Sequence, residues 1–373
     1  VDVQSIFVGG SALSSGATDL DGLSDVKSGG ANFYDSLIIT PGQTPTTGTL
    51  STAGGNIGIG RIALCKLTSG DTNVVIGCNS GTCITTASRQ IFIGNEVGTQ
   101  NDAYNNVAIG GFAMSQATSA GNVVLGSHAM AYTTTSGGYN IIIGHLAAYQ
   151  SVSNCLCGST AMGMNALRCF NCVVDSVTIG HELGCEQCQS FMCSVVIGGH
   201  AFRCATASTK HTDSVYIGGK VGCKNTVTTC GNVVIGGQAG ICISGHCNTA
   251  LGGCSLKVAT SVCCNVAIGH NAGCSITTGD GNLIIGTGMN VATASAHCQF
   301  VLGVDGACLM CAADKTSVVC FPTGVAKASG SFSIPHPLSS LNNTHTLRHS
   351  FIEGPTADNI YRGKVTLTSG TAS

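Results

Sequence analysis

Asn265-Val266-Ala267-Ile268-Gly269-His270-Asn271-Ala272 decides the fold, because near-copies of it recur along most of the chain. The glycine that closes each copy serves as an anchor. It falls at Gly60, Gly77, Gly94, Gly110, Gly126, Gly144, Gly163, Gly180, Gly198, Gly218, Gly236, Gly252, Gly269, Gly286 and Gly303, always 16 to 20 residues apart. Such self-similarity marks a stacked-repeat architecture. One residue before the glycine stands an aliphatic, as in Ile76-Gly77, Ile109-Gly110, Ile197-Gly198, Ile235-Gly236 and Ile268-Gly269. Three before it is usually β-branched, four before it is Asn, Gln or Ser, and three after it is most often Ala.

Each column has a physical reading. Val and Ile favour strands, and Gly permits a positive φ where the chain leaves the strand. The Asn/Ser column suits side chains that bond turn backbone or one another between rungs. Side chains alternate along a strand, so the positions one and three before the glycine share a face. That face is expected to line the inside of the coil. The position between them holds Ala108, Val124, Ile142, Val196, Tyr216 and Val234. It is expected to turn outward onto a second copy, since a strand apolar on both sides is usually covered on both. The Ser/Thr-rich second half of each rung reads as an outer, solvent-facing strand. Fifteen rungs about 4.8 Å apart make a shaft roughly 70 Å long.

Composition agrees with many short strands and tight turns: Gly 53 of 373, charged residues 9%, hydrophobic residues 43%, no Trp. Fifteen scattered basic residues and a net charge of −2 argue against nucleic-acid binding. Mean hydropathy is +0.34, yet apolar runs of three to five residues argue against membrane insertion. The chain opens on Val1 rather than Met, and the expectation is a piece of a longer protein. No G-x-S-x-G, H-E-x-x-H or Walker pattern occurs, so neither catalysis nor a cofactor is expected.

The repeat resembles the head repeats of YadA-type trimeric adhesins over residues 56–306, with a longer period and far more cysteine. That resemblance implies a parallel β-roll assembled as a homotrimer. Leu20-Asp21-Gly22-Leu23-Ser24-Asp25-Val26 resembles linkers of phage tail-fibre proteins. Gly330-Ser331-Phe332-Ser333-Ile334-Pro335-His336-Pro337-Leu338, with His349 to Pro355 and Asn359 to Val365, is similar to a terminal module of virion structural proteins. The run Lys364 to Gly370 reads as a hairpin whose return strand is missing.

The expected organisation follows. Residues 1–55 are a linker with a small β segment and a degenerate first rung at Phe7 to Ala12. Residues 56–306 are the shaft, 307–330 a connector, and 331–373 a C-terminal β module. The resemblances imply a virion-surface fibre that attaches to a host receptor or glycan and joins other virion proteins. A cellular trimeric surface adhesin is the runner-up, and an ice-binding or surface-layer coil a third reading.

The chain has 23 cysteines, a density expected of an oxidising setting. They flank the variable outer segment. Cys185 with Cys193, Cys223 with Cys230, Cys242 with Cys247, and Cys254 with Cys263 or Cys264 are disulfide candidates within or between rungs. Small buried thiols, and zinc half-sites at the C-x-x-C pairs Cys169/Cys172, Cys185/Cys188 and Cys308/Cys311, stay open as rivals. His145, His181 and His270 each follow the corner glycine. In a threefold assembly they could hold an axial ion, although a surface turn is the plainer reading.

Overall fold

The computed structural model describes residues 7–8, 11–12, 26–28, 33–40, 52–133, 137–184, 189–203, 210–224, 228–316, 318–322, 331–335 and 346–350. The chain divides into two units, 1–322 and 323–373. The first is an all-β parallel solenoid of about 14 turns, as the repeat predicts.

Every rung before the last contributes a three-residue strand just before its glycine, and equivalent positions pair in register. Val107, Ala108 and Ile109 sit beside Val123, Val124 and Leu125; Val233, Val234 and Ile235 sit beside Thr249, Ala250 and Leu251. The parallel ladder begins at Leu37–Ile39, which pairs with Ile57–Ile59, one rung before the expected start at 56. Val26–Ser28 lies antiparallel on that first strand. At the far end Ala307–Ala312 folds back antiparallel on Phe300–Val304, so the segment expected to be a connector begins as a cap. Among the described residues Val26–Ser28 pairs only with its inner neighbour, and Ala307–Ala312 pairs beyond Phe300–Val304 only through a bridge from Cys311 to Cys320, so the sheet is an open ladder and not a barrel. Phe7–Val8 and Ser11–Ala12 form an antiparallel pair, not the expected degenerate rung.

The two strand faces are the reverse of the expectation. The middle residue points inward: Ile38, Val75, Phe92, Ala108, Val124, Ile142, Val196, Tyr216, Val234, Ala267 and Ile284 are all completely buried. The residues one and three before the glycine point out. The reason lies four residues before the glycine, on the same side as the middle residue by the period of two. Asn56, Asn73, Gln90, Asn106, Asn122 and Asn140 are buried there, and so are Asn232, Asn248, Asn265 and Asn282. Each side-chain oxygen accepts from the backbone N–H of its counterpart one rung on. Asn73 N donates to Asn56 Oδ1 at 3.0 Å, Asn140 N to Asn122 Oδ1 at 3.1 Å, and Asn282 N to Asn265 Oδ1 at 2.9 Å. The amide nitrogens also donate to turn carbonyls, as Asn248 Nδ2 does to Val262 O at 2.8 Å. Where Ser stands in for Asn its hydroxyl oxygen does the same work, as when Ser194 N donates to Ser176 Oγ at 3.2 Å. A buried polar group is costly wherever it lacks a partner; the ladder supplies one to nearly every amide and so holds its strand face inside.

Core filling is matched between facing walls. Gly98 faces the ring of Phe92, and an added Cβ would lie 2.2 Å from it; Gly222 faces Phe202 at 2.6 Å. The corner glycines are required. Gly236 has φ +140°, and a Cβ there would stand 2.4 Å from the carbonyl oxygen of Gly252 one rung on.

The second half of the rung forms a true strand at the start of the shaft, where Phe33–Tyr34 pairs in parallel with Ala53–Gly54, and in its middle. There Gln150–Cys157, Cys169–Val174, Gln189–Met192, Lys210–Thr212 and Thr229–Cys230 form a parallel five-stranded sheet. It is not purely solvent-facing, because Leu156, Phe170, Val173, Phe191 and His211 turn into the core. Elsewhere this half of the rung is turns and bends. In the second unit, Ser331–Pro335 pairs antiparallel with Thr346–Ser350; the suspected hairpin at Lys364 to Gly370 lies outside the described residues.

Candidate functional site

The positions that turn outward form two parallel apolar columns along the ladder. Ile57, Ile59, Ile91, Ile109, Val123, Ile141, Ile235, Ile268 and Leu283 are each 36–43% exposed. The remaining members, such as Ile76, Ile197 and Ile285, are half-buried. With rungs about 4.8 Å apart and two columns about 7 Å apart, the stripe covers roughly 500 Å². That reaches the upper range for the largest apolar patch on a monomer, where such patches mark contact surfaces. Isoleucine and valine are held there rigidly by the parallel ladder, so a docking surface loses little side-chain entropy on being covered. The sequence reading singled out these residues, including Ile76, Ile109, Ile197, Ile235 and Ile268, but assigned them to the interior.

The cysteines are arranged as follows. Among the described residues one disulfide is present, Cys155 to Cys172, joining register partners on adjacent rungs of the middle sheet. Cys193, Cys223, Cys230, Cys242, Cys247, Cys254, Cys263 and Cys264 are free thiols, so the structure draws none of the expected loop-neck staples among them. Cys185 lies outside the described residues. The physical reason is direction: the strands lie side by side, so stacked thiols on successive rungs approach each other more readily than those across one loop. Cys193, Cys247, Cys264 and Cys298 all occupy the position five before the glycine, where each has a positive φ of 49–59°.

At the capped end an open pocket of about 350 Å³ is lined by Met289, Asn290, Gln299, Val301, Cys308 and Cys311. A register shift between Leu302 and Gly303 puts Cys308 and Cys311 on one face. Burial, then the neighbouring Cys311, pushes the Cys308 thiol up to about 11. It is held protonated at neutral pH, which suits packing rather than nucleophilic attack.

His211, which the sequence reading passed over, is completely buried, and burial lowers it to about 3. Its Nδ1 lies 2.8 Å from Thr229 Oγ1, and the Tyr216 hydroxyl is 3.0 Å from the same oxygen. Asn232 Nδ2 donates to Tyr216 Oη at 3.3 Å, tying this network to the asparagine ladder. The rings of Phe191 and Phe202 pack on His211 at centroid distances of 5.4 and 4.4 Å.

His145, His181 and His270 are all exposed at equivalent corners. His145 stands 6.3 Å from the ring of His128, and His270 lies over Gly253. Among the described residues His181 is the one of the three that sits in a cluster of three ligand-forming side chains, with Glu182 and His200. No known protein family, no curated protein and no solved structure matches the chain.

Proposed function

We propose that this chain is the shaft of a homotrimeric virion fibre, a non-catalytic part that holds a stiff surface out toward a host cell. The observation that carries this reading is the pair of outward apolar columns. Identical copies meeting around an axis would cover the same stripe on each. This is the reverse of the face expected from the sequence: Val196 and Val234 fill the core, while Val195, Ile197, Val233 and Ile235 meet the neighbouring copy. A solenoid shaft suits the role because each rung rests on the next and stability grows with the stack. The resemblance of the flanking segments to tail-fibre linkers and virion modules supports the viral setting and a host receptor or glycan as the target.

The threonine hydroxyls speak against the ice-binding reading. Thr68, Thr82, Thr260 and Thr277 each donate to the carbonyl of the next rung at 2.9–3.3 Å, so their protons are spent within the stack.

Light scattering on the purified chain is expected to give three times the 37.4 kDa of a single copy, and negative-stain images are expected to show rods. Changing Ile109, Ile141 and Ile235 together to Asp is expected to yield folded single chains. A compact, soluble monomer of the unaltered protein would overturn the proposal.

A further inference from the structure

We infer that His181, Glu182 and His200 form a binding site for a divalent transition-metal ion that clips two successive rungs together. The site follows from repeat geometry. His181 and Glu182 are the first and second residues after Gly180, and His200 is the second after Gly198. The two corners stack, with His200 N donating to His181 O at 2.9 Å. Glu182 N in turn donates to Met164 O at 3.0 Å on the preceding rung. All three side chains therefore project from backbone that the solenoid already holds, the condition for a preorganised site.

One nitrogen from each imidazole and one carboxylate oxygen lie within 4.8 Å of one another. His200 Nδ1 is 3.1 Å from Glu182 Oε2, and His181 Nε2 is 4.0 Å from Oε1. Ligands at about 2.0–2.2 Å around zinc or a similar ion stand roughly 3.0–3.5 Å apart. The first pair already has that separation, and a small turn of the exposed His181 ring brings in the second. His200 Nδ1 carries the second, independent observation. Although close to the carboxylate it lies off the line of a hydrogen bond and is a buried nitrogen without a hydrogen-bond partner. Such an atom calls for an acceptor, a donor or an ion. The two imidazole rings meet edge to face at 5.3 Å, which leaves their nitrogens near one carboxylate.

Two histidines and one glutamate are a borderline-soft set that suits Zn²⁺, Co²⁺, Ni²⁺ or Cu²⁺ better than the oxygen-seeking Ca²⁺ or Mg²⁺. Three protein ligands leave a coordination position for water or for a group on another molecule. Arg203 Nη1 lies 3.3 Å from Glu182 Oε2. It steadies the carboxylate as outer-shell partners of metal ligands do, and leaves Oε1 turned toward His181.

The test uses the full chain, stripped with a chelator and titrated with Co²⁺, because the many thiols could bind metal elsewhere. Ligation by imidazole and carboxylate gives d–d bands without the sulfur-to-cobalt charge-transfer bands of thiolate sites. The parent is expected to bind one equivalent more of sulfur-free Co²⁺ than the His181→Ala/His200→Ala double variant. Glu182→Gln, which keeps the side-chain shape, is expected to weaken that equivalent by at least about tenfold. Circular dichroism checks that the strands persist in each variant. Equal stoichiometry and affinity in parent and double variant, or cobalt bound only with sulfur charge-transfer bands, would overturn the inference.

Discussion

Three consecutive isoleucines, Ile141-Ile142-Ile143, occupy one strand, and the fold treats them differently. Ile142 is completely buried between Val124 and Ala161, its register partners. Ile141 is 43% exposed on the outer face. Ile142→Ala removes the buried methyl and methylene groups and leaves a cavity, at a cost of about 2–5 kcal/mol. Ile141→Ala gives up a little more than half of the transfer free energy of an isoleucine. On the usual scale that is roughly 1 kcal/mol in a single chain. Identical chemistry at adjacent positions makes the comparison a direct reading of which way the strand faces.

The whole array is not expected to melt as one two-state unit, so the assay should be local. Hydrogen exchange read by mass spectrometry on peptides covering 139–146 reports the opening free energy of that rung. Ile142→Ala is expected to speed exchange there and in the flanking rungs by roughly 30-fold or more, the equivalent of about 2 kcal/mol. Ile141→Ala is expected to act at least several-fold less on isolated chains. Light scattering on the Asp variants completes the test: Ile142→Asp buries an unpaired charge and opens the rung, whereas Ile141→Asp leaves the fold and weakens assembly. Equal exchange for the two Ala variants would refute the face assignment.

Other expectations are open to measurement. His211 titrates near 3 in the fold and near 6.5 when unfolded, so the unfolded chain takes up a proton first as pH falls. Stability tied to this group is full above pH 6.5 and lost progressively toward pH 3, by about 3 kcal/mol at pH 4. Hydrogen exchange on peptides covering 210–217 at pH 7 and pH 4, each corrected for its intrinsic rate, should show this loss in the parent and a smaller one in His211→Leu. Gln90 Nε2 is a buried ladder atom with no partner, so Gln90→Asn should slow hydrogen exchange in its rung, by the equivalent of about 1–2 kcal/mol; faster exchange there would count against the ladder argument. Gly236→Ala should disrupt its rung, because the added methyl meets the Gly252 carbonyl and φ stays positive; wild-type exchange rates around 232–252 would contradict it. Mass spectrometry without reduction should find Cys155 linked to Cys172, with Cys223, Cys242 and Cys254 alkylatable.

The parallel stack was legible because the Asn-to-Gly unit recurs at an almost constant period, and only a coil brings such units into register. The corner glycines and the core alanines, such as Ala63 and Ala272, were readable for the same reason. The direction of the strand was not read from hydrophobicity, since both of its faces are apolar. Two signals in the sequence did carry it. Asn and Ser four before the glycine share a face with the middle residue, and a repeated amide ladder must be sheltered from water to be worth keeping. The middle column also varies in size, from Gly58 and Ala108 to Phe92 and Tyr216, as facing walls of a core compensate one another. The outer columns stay Ile, Val or Leu in most rungs because they present a surface of even height.

The same repeat arithmetic separates His181 from the two histidines with which it was grouped. A residue just after the corner glycine has two natural neighbours: the next residue in its own rung, and the second residue after the glycine one rung on. For His145 these are Leu146 and Asn165; for His270 they are Asn271 and Gly288. Neither set offers a carboxylate or an imidazole, and the imidazole that does stand beside His145, that of His128 one rung back, is 6.3 Å away between ring centres. For His181 they are Glu182 and His200. Position after a glycine says only that a histidine is exposed; the residues stacked 18 to 20 places away decide whether it has company. Chain order hides that neighbourhood, because the ligand atoms of one cluster come from separate turns of the coil. Laying the sequence out by rung makes it visible, and the stacked corners convert it into a distance.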